Sequence, residues 1–185
     1  LRSGEDADVE VEGSWSPQIS LGVPVLIPDE YVPDLDVRLG LYRRLSTLES
    51  RADLEGFAAE LHDRFGKLPH EVETLLKIVQ VKTMCRRAGI ERLDTGPKGA
   101  VIHFRNNHFV DPAGLVTFLQ GESGRAKIRD NRLVIQRDWH GDKDRIRGAY
   151  SIARSLAKIA EKGAEKSAKR GAAAESAGQK TRKAG

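Results

Sequence analysis

Gly66 and Pro69 interrupt the run Glu60-Leu61-His62-Asp63-Arg64-Phe65-Gly66-Lys67-Leu68-Pro69, cutting a helical periodicity that would otherwise extend from Asp53 to Arg87. Glycine favours a helix stop, and the residue before a proline is biased away from helical angles. The front half of this chain must therefore fold as separate helices that double back on one another. On a wheel of about 100° per residue, Leu54, Phe57, Ala58, Leu61 and Phe65 share one apolar sector, and Glu60 and Asp63 lie opposite it. Two carboxylates three residues apart share a helix face and can meet a basic partner without disturbing the core. The plainer reading is an ordinary solvated face, where Glu and Asp are the default residues.

Around this break the pattern predicts an α+β fold: an N-terminal helical half, then a small antiparallel sheet with a short helix and a long C-terminal helix. Residues 19–27 alternate as an edge strand, since Pro24 cannot donate to a ladder. Asp34 caps a helix whose apolar residues Leu35, Leu39, Tyr42, Leu45 and Leu48 recur at three and four. Ser50-Arg51 breaks it, and the acidic-faced helix follows from about Asp53 to Phe65. After Pro69, Val72, Leu75, Leu76 and Val79 fill one sector and Ile78, Val81 and Cys85 an adjoining one, which marks a central helix ended by Gly89. Residues 90–94 and 100–105 read as strands, Asp111-Pro112 as the start of a short helix, and residues 126–129 and 132–136 as two strands joined at Asp130-Asn131. A last helix is expected over residues 142–162. Strand order is not readable, and no internal repeat occurs.

Charge separates the domain from its ends. The chain carries a net +4, and residues 163–185 hold six Lys or Arg against two Glu, so the tail accounts for the whole excess. That tail contains no apolar side chain larger than alanine and is expected to be a disordered basic segment. Residues 1–16, rich in Gly, Ser and acids, read as a flexible linker in which Trp15 docks, leaving 17–162 as the folded domain. The absence of an initiating Met suggests a piece of a longer protein. Cys85 is the single cysteine, a buried small hydrophobe in this reading, with no disulfide possible within the chain.

Catalytic constellations are missing. Gly121-Glu122-Ser123-Gly124-Arg125 lacks the spacing and the lysine of a phosphate loop, and His103 and His108 lack further ligands at metal spacing. Trp139-His140-Gly141-Asp142 reads as a turn with Asp142 capping the last helix, and Asp34 and Asp36 as favourable charge at a helix start. No metal site and no cofactor are therefore expected. Arg145, Arg147, Arg154, Lys158 and Lys162 on the last helix raise a rival function, contact with nucleic acid, although Asp144 and Glu161 interleave with them and no aromatic platform accompanies them.

Taken in order, Ile27-Pro28-Asp29-Glu30-Tyr31-Val32-Pro33-Asp34, Arg38-Leu39, Tyr42-Arg43-Arg44-Leu45, Glu60 to Gly66, Leu68-Pro69, Leu75-Leu76 and Ala88-Gly89-Ile90 resemble the C-terminal domain of bacterial transcription-repair coupling factors, from about Ile19 to Ala160. The resemblance implies a cytoplasmic parent that hydrolyses ATP with magnesium in a separate motor and translocates on DNA. Such a parent displaces stalled RNA polymerase and recruits excision repair through UvrA. It further implies that this domain is not itself an enzyme. The domain would pack on the parent's UvrB-like module, hide the UvrA-binding surface and restrain the motor. The motif's acidic pair belongs to that contact, and the matching positions are Glu60 and Asp63, with Arg64 a secondary candidate that can pair within its own helix.

Overall fold

The computed structural model describes residues 15–182. The expected linker, apart from Trp15 and Ser16, lies outside the described residues. Helices α1 (Leu35–Thr47), α2 (Arg51–Phe65) and α3 (His70–Arg87) form the front of the domain. Behind them stand β1 (Gln18–Ser20), β2 (Ile90–Gly96), β3 (Gly99–Phe104), β4 (Ala126–Arg129) and β5 (Arg132–Gln136). Helix α4 (Pro112–Gly121) sits between β3 and β4, and α5 (Asp142–Arg182) closes the fold. The five strands make one sheet in the order β1-β2-β3-β5-β4, antiparallel except for β1, which pairs parallel to β2.

Capping explains most of the boundaries. Asp34 accepts from Val37 N at 2.9 Å, and Asp111 accepts from Gly114 N at 3.0 Å ahead of Pro112. Ser50 and Asp53 form a reciprocal capping box, so α2 starts at Arg51, ahead of the expected Asp53. Asp142 does not cap α5: it is the first helical residue, and the Gly141 carbonyl accepts from Arg145 N at 3.1 Å. The β2–β3 connection is tighter than expected, Gly96 opposing Gly99 across Pro97-Lys98. Gly99 adopts φ +131, and a Cβ there would lie 1.9 Å from the Ile135 carbonyl oxygen, so only glycine fits. Asp130 and Asn131 both take positive φ, joining β4 to β5 by a two-residue turn whose twist suits a hairpin.

Three further expectations change. The edge strand predicted over 19–27 is only three residues long, because Gly22 at φ +65 turns the chain away and Pro24 follows. On α1 the buried positions are Leu41 and Leu45, with Val37, Tyr42 and Leu48 packed beside them, whereas Leu35 and Leu39 are 57% and 45% exposed. Apolar residues at 35, 37, 39, 41, 42 and 45 offer two overlapping stripes, and docking on α2 and α3 selects the second. The last helix does not end at Lys162 but continues to Arg182, through an Ala-, Lys- and Glu-rich segment of high helix propensity. Its packing ends at Gly163, where a Cβ would lie 2.5 Å from Asp111 Cβ, and residues 164–174 are exposed.

Two apolar clusters share α3. Val72 and Leu75 join Ile27, Val32, Leu41, Leu45, Phe57 and Leu61 in front, while Val81 and Cys85 join the sheet and α5 behind. Helices α3 and α5 run parallel: Lys77 faces Arg147 across one cleft, and further along Arg87 pairs with Glu161 at 2.6 Å. Burial pushes the Cys85 thiol up to about 12, as a packed and unreactive cysteine requires.

Candidate partner interface on helix α2

The apolar side of α2, Leu54, Phe57 and Leu61, is buried, which turns Glu60, Asp63 and Arg64 outward at its C-terminal end. That end is firmly held. Gly66, at φ +86, donates its N–H to the His62 carbonyl at 2.9 Å, and the Tyr31 hydroxyl lies 3.1 Å from the Leu61 carbonyl and 3.0 Å from that of Gly66. The Tyr31 ring meets Phe65 edge-on at 5.8 Å, and burial raises the pKa of its phenol.

The two acidic residues differ. Glu60 accepts both Nη groups of Arg44 at 2.7 Å and Nη1 of Arg64 at 3.0 Å, so its carboxylate bridges α1 and α2. These arginines, Arg44 first, hold its carboxyl well below the usual range, at about 2. Arg44 also lies over the Phe57 ring at 5.1 Å, and Arg64 over Phe65 at 4.9 Å. Arg64 thus does pair within its own helix. Asp63 is 84% exposed, and its ion-pair neighbour among the described residues is the His62 ring at 3.8 Å. The fully solvent-facing pair expected from the wheel is therefore one exposed carboxylate, Asp63, beside one already clamped, Glu60, whose side chain is 33% exposed. Arg44 was not among the predicted site residues. Its signal lay sixteen positions upstream on another helix, beyond the reach of a wheel drawn for α2.

The basic candidates on α5 also separate. Arg145 is not available to a ligand: Nη1 donates to the Leu21 and Gly22 carbonyls at 3.0 and 3.3 Å, Nη2 lies 3.6 Å from Asp142, and the side chain is 14% exposed. It ties the N-terminal strand to α5. Arg154, Lys158 and Lys162 are exposed, with no carboxylate within 4.0 Å among the described residues. His103 lies on β3 and His108 after the turn that follows it, and no group of three potential metal ligands occurs among the described residues. Trp15 docks as expected, its ring 5.1 Å from the Arg105 guanidinium and its carbonyl accepting from Arg86 at 3.3 Å. None of the described helices is long and apolar enough to cross a membrane.

Residues 21–115 match the family model described as the TRCF domain. The chain is 42% identical over 131 residues to a transcription-repair-coupling factor of Rickettsia conorii, an alignment covering 70% of this chain and 12% of that protein. It is 32% identical over 157 residues to the transcription-repair-coupling factor of Escherichia coli K12, covering 84% of this chain and 14% of that one. Among solved structures, the crystal structure of a C-terminal domain of transcription-repair coupling factor superposes with a TM-score of 0.65 at 21% identity, covering 80% of this chain and 96% of that chain. The architecture is shared with that domain, and the chain spans about an eighth of the length of the curated relatives it matches.

Proposed function

The chain belongs to the TRCF domain family of transcription-repair coupling factors, and from that premise we propose that it is a non-catalytic, autoinhibitory interaction domain whose α2 face clasps the UvrB-like module of its parent. The clasp covers the UvrA-binding surface of that module and restrains an ATP-dependent translocase that displaces stalled RNA polymerase during transcription-coupled excision repair. The observation that carries this reading is the exposed Asp63 carboxylate next to the Arg44–Glu60–Arg64 cluster, at the rigid end of α2. Asp63 offers an arginine of the module an unoccupied acceptor. Glu60 still has lone pairs for a further donor at the edge of the cluster. Contacts of this kind at a wet rim contribute about 0.5 to 3 kcal/mol each, weak enough to open when the parent engages polymerase.

Titration calorimetry of this chain against the isolated UvrB-like module, at low and high salt, tests the clasp. Asp63→Ala is expected to weaken binding about tenfold with unchanged thermal stability, and Glu60→Ala/Asp63→Ala to weaken it further while remaining folded. Wild-type affinity in both variants would place the contact elsewhere. A second reading, a domain that contacts DNA through its last helix, is favoured by Arg154, Lys158 and Lys162, exposed on one stripe of α5 with no carboxylate within 4.0 Å among the described residues.

A further inference from the structure

Parallel packing of α3 on α5 leaves a cleft of about 240 Å³ beside the starts of both helices. Its floor is Ile146 and the half-buried Tyr150, and its rim is His70, Lys77, Lys143 and Arg147. Among the described residues no carboxylate lines it. Arg44, Arg51, Arg86, Arg87, Arg92 and Arg137 each hold a carboxylate within 3 Å, whereas Lys77, Lys143 and Arg147 have none within 4.0 Å among the described residues. The acids of the two first turns, Glu71, Glu73, Asp142 and Asp144, are exposed and lie outside the lining, and Asp142 sits 3.6 Å from Arg145. Three cations therefore line one concavity with no carboxylate within 4.0 Å of them among the described residues, which raises the local potential and favours an anion.

We propose that the α3–α5 cleft binds the phosphate group of a nucleotide. Lys77, Lys143 and Arg147 supply charged donors from two helices, so a phosphate held among them is clamped from both sides. The Tyr150 ring and Ile146 give the attached sugar or base an apolar surface to rest on. A nucleic-acid strand and a free nucleotide present this same chemistry. The site goes beyond the clasp, which lies on α2; Lys143 and Arg147 continue the Arg154, Lys158 and Lys162 stripe toward the start of α5, and it is Lys77 on α3, across the cleft, that sets the site apart from it.

The test is fluorescence anisotropy of the chain with a labelled single strand of about 12 nucleotides, at about 50 and about 200 mM salt. Lys77→Ala/Lys143→Ala/Arg147→Ala is compared with Arg154→Ala/Lys158→Ala/Lys162→Ala, which removes the same charge from the stripe. The cleft variant is expected to lose about tenfold in affinity and about 2 from the salt slope, and the stripe variant about twofold in affinity. Direct titration with AMP and with inorganic phosphate separates the sources: binding of either that disappears in the cleft variant assigns the site to a free phosphate compound and still supports it. Amide chemical shifts of the wild-type chain locate the ligand without any variant, and perturbation centred on Lys77, Arg147 and Tyr150 is the expected map. Equal losses in the two variants would overturn the cleft and leave the stripe standing. Shifts confined to residues beyond Ser151, or no binding of strand, AMP or phosphate by the wild type, would also overturn it.

Discussion

Glu60 shows how a residue on an outer helix face becomes part of the fold. Three guanidinium nitrogens reach its two oxygens, and its carboxyl ionises near 2 instead of 4.5. A group whose folded pKa is depressed contributes stability that is present above its unfolded pKa and is lost as the pH falls through the folded one. The cluster therefore helps hold α1 on α2 at neutral pH and loses that contribution between pH 4.5 and about 2. Partial exposure and screening limit the effect to about 1 kcal/mol, so Glu60→Gln is expected to lower the melting temperature by about 2–4 °C at pH 7. That gap should narrow in scans run toward pH 2, and a gap that stays constant with pH would mean that the cluster does not hold the helices together. Asp63→Ala should leave the melting temperature unmoved, which separates a carboxylate that supports the fold from one that stands exposed beside it.

At the scale of elements, much of the chain was legible because caps and periods act locally. Asp34, Gly66, Asp111-Pro112 and Asp130-Asn131 mark boundaries by hydrogen bonds and backbone angles that involve their immediate neighbours. What could not be read was decided between elements. Which stripe of α1 faces inward depends on the shapes of α2 and α3, the parallel pairing of β1 depends on where the chain returns after α3, and the partner of Glu60 comes from α1. The segment after Gly163 went astray for a different reason: lack of apolar side chains argues against a packed core, not against a helix, and alanine-rich sequence forms helix without burial. Ending the chain at Gly163 is accordingly expected to leave the melting temperature within about 1 °C of the full chain, because the exposed turns from 164 to 174 contact no core. Circular dichroism should lose ellipticity in proportion to the residues removed, and a clear fall in melting temperature would show that the extension supports the domain.

For the whole molecule, the organising element is α3, buried by the helical cluster along its first half and by the sheet and α5 along its second. Because Val72 and Leu75 serve one cluster and Val81 and Cys85 the other, neither half keeps its core if α3 leaves. Movement at α2 is therefore felt first at α3, the helix that both clusters share. If α2 carries the clasp proposed above, the face it presents moves as one piece with α3, like a rigid stopper in a bottle, and release from the UvrB-like module is then expected to follow a single exponential whose rate rises in Asp63→Ala without acquiring a second phase.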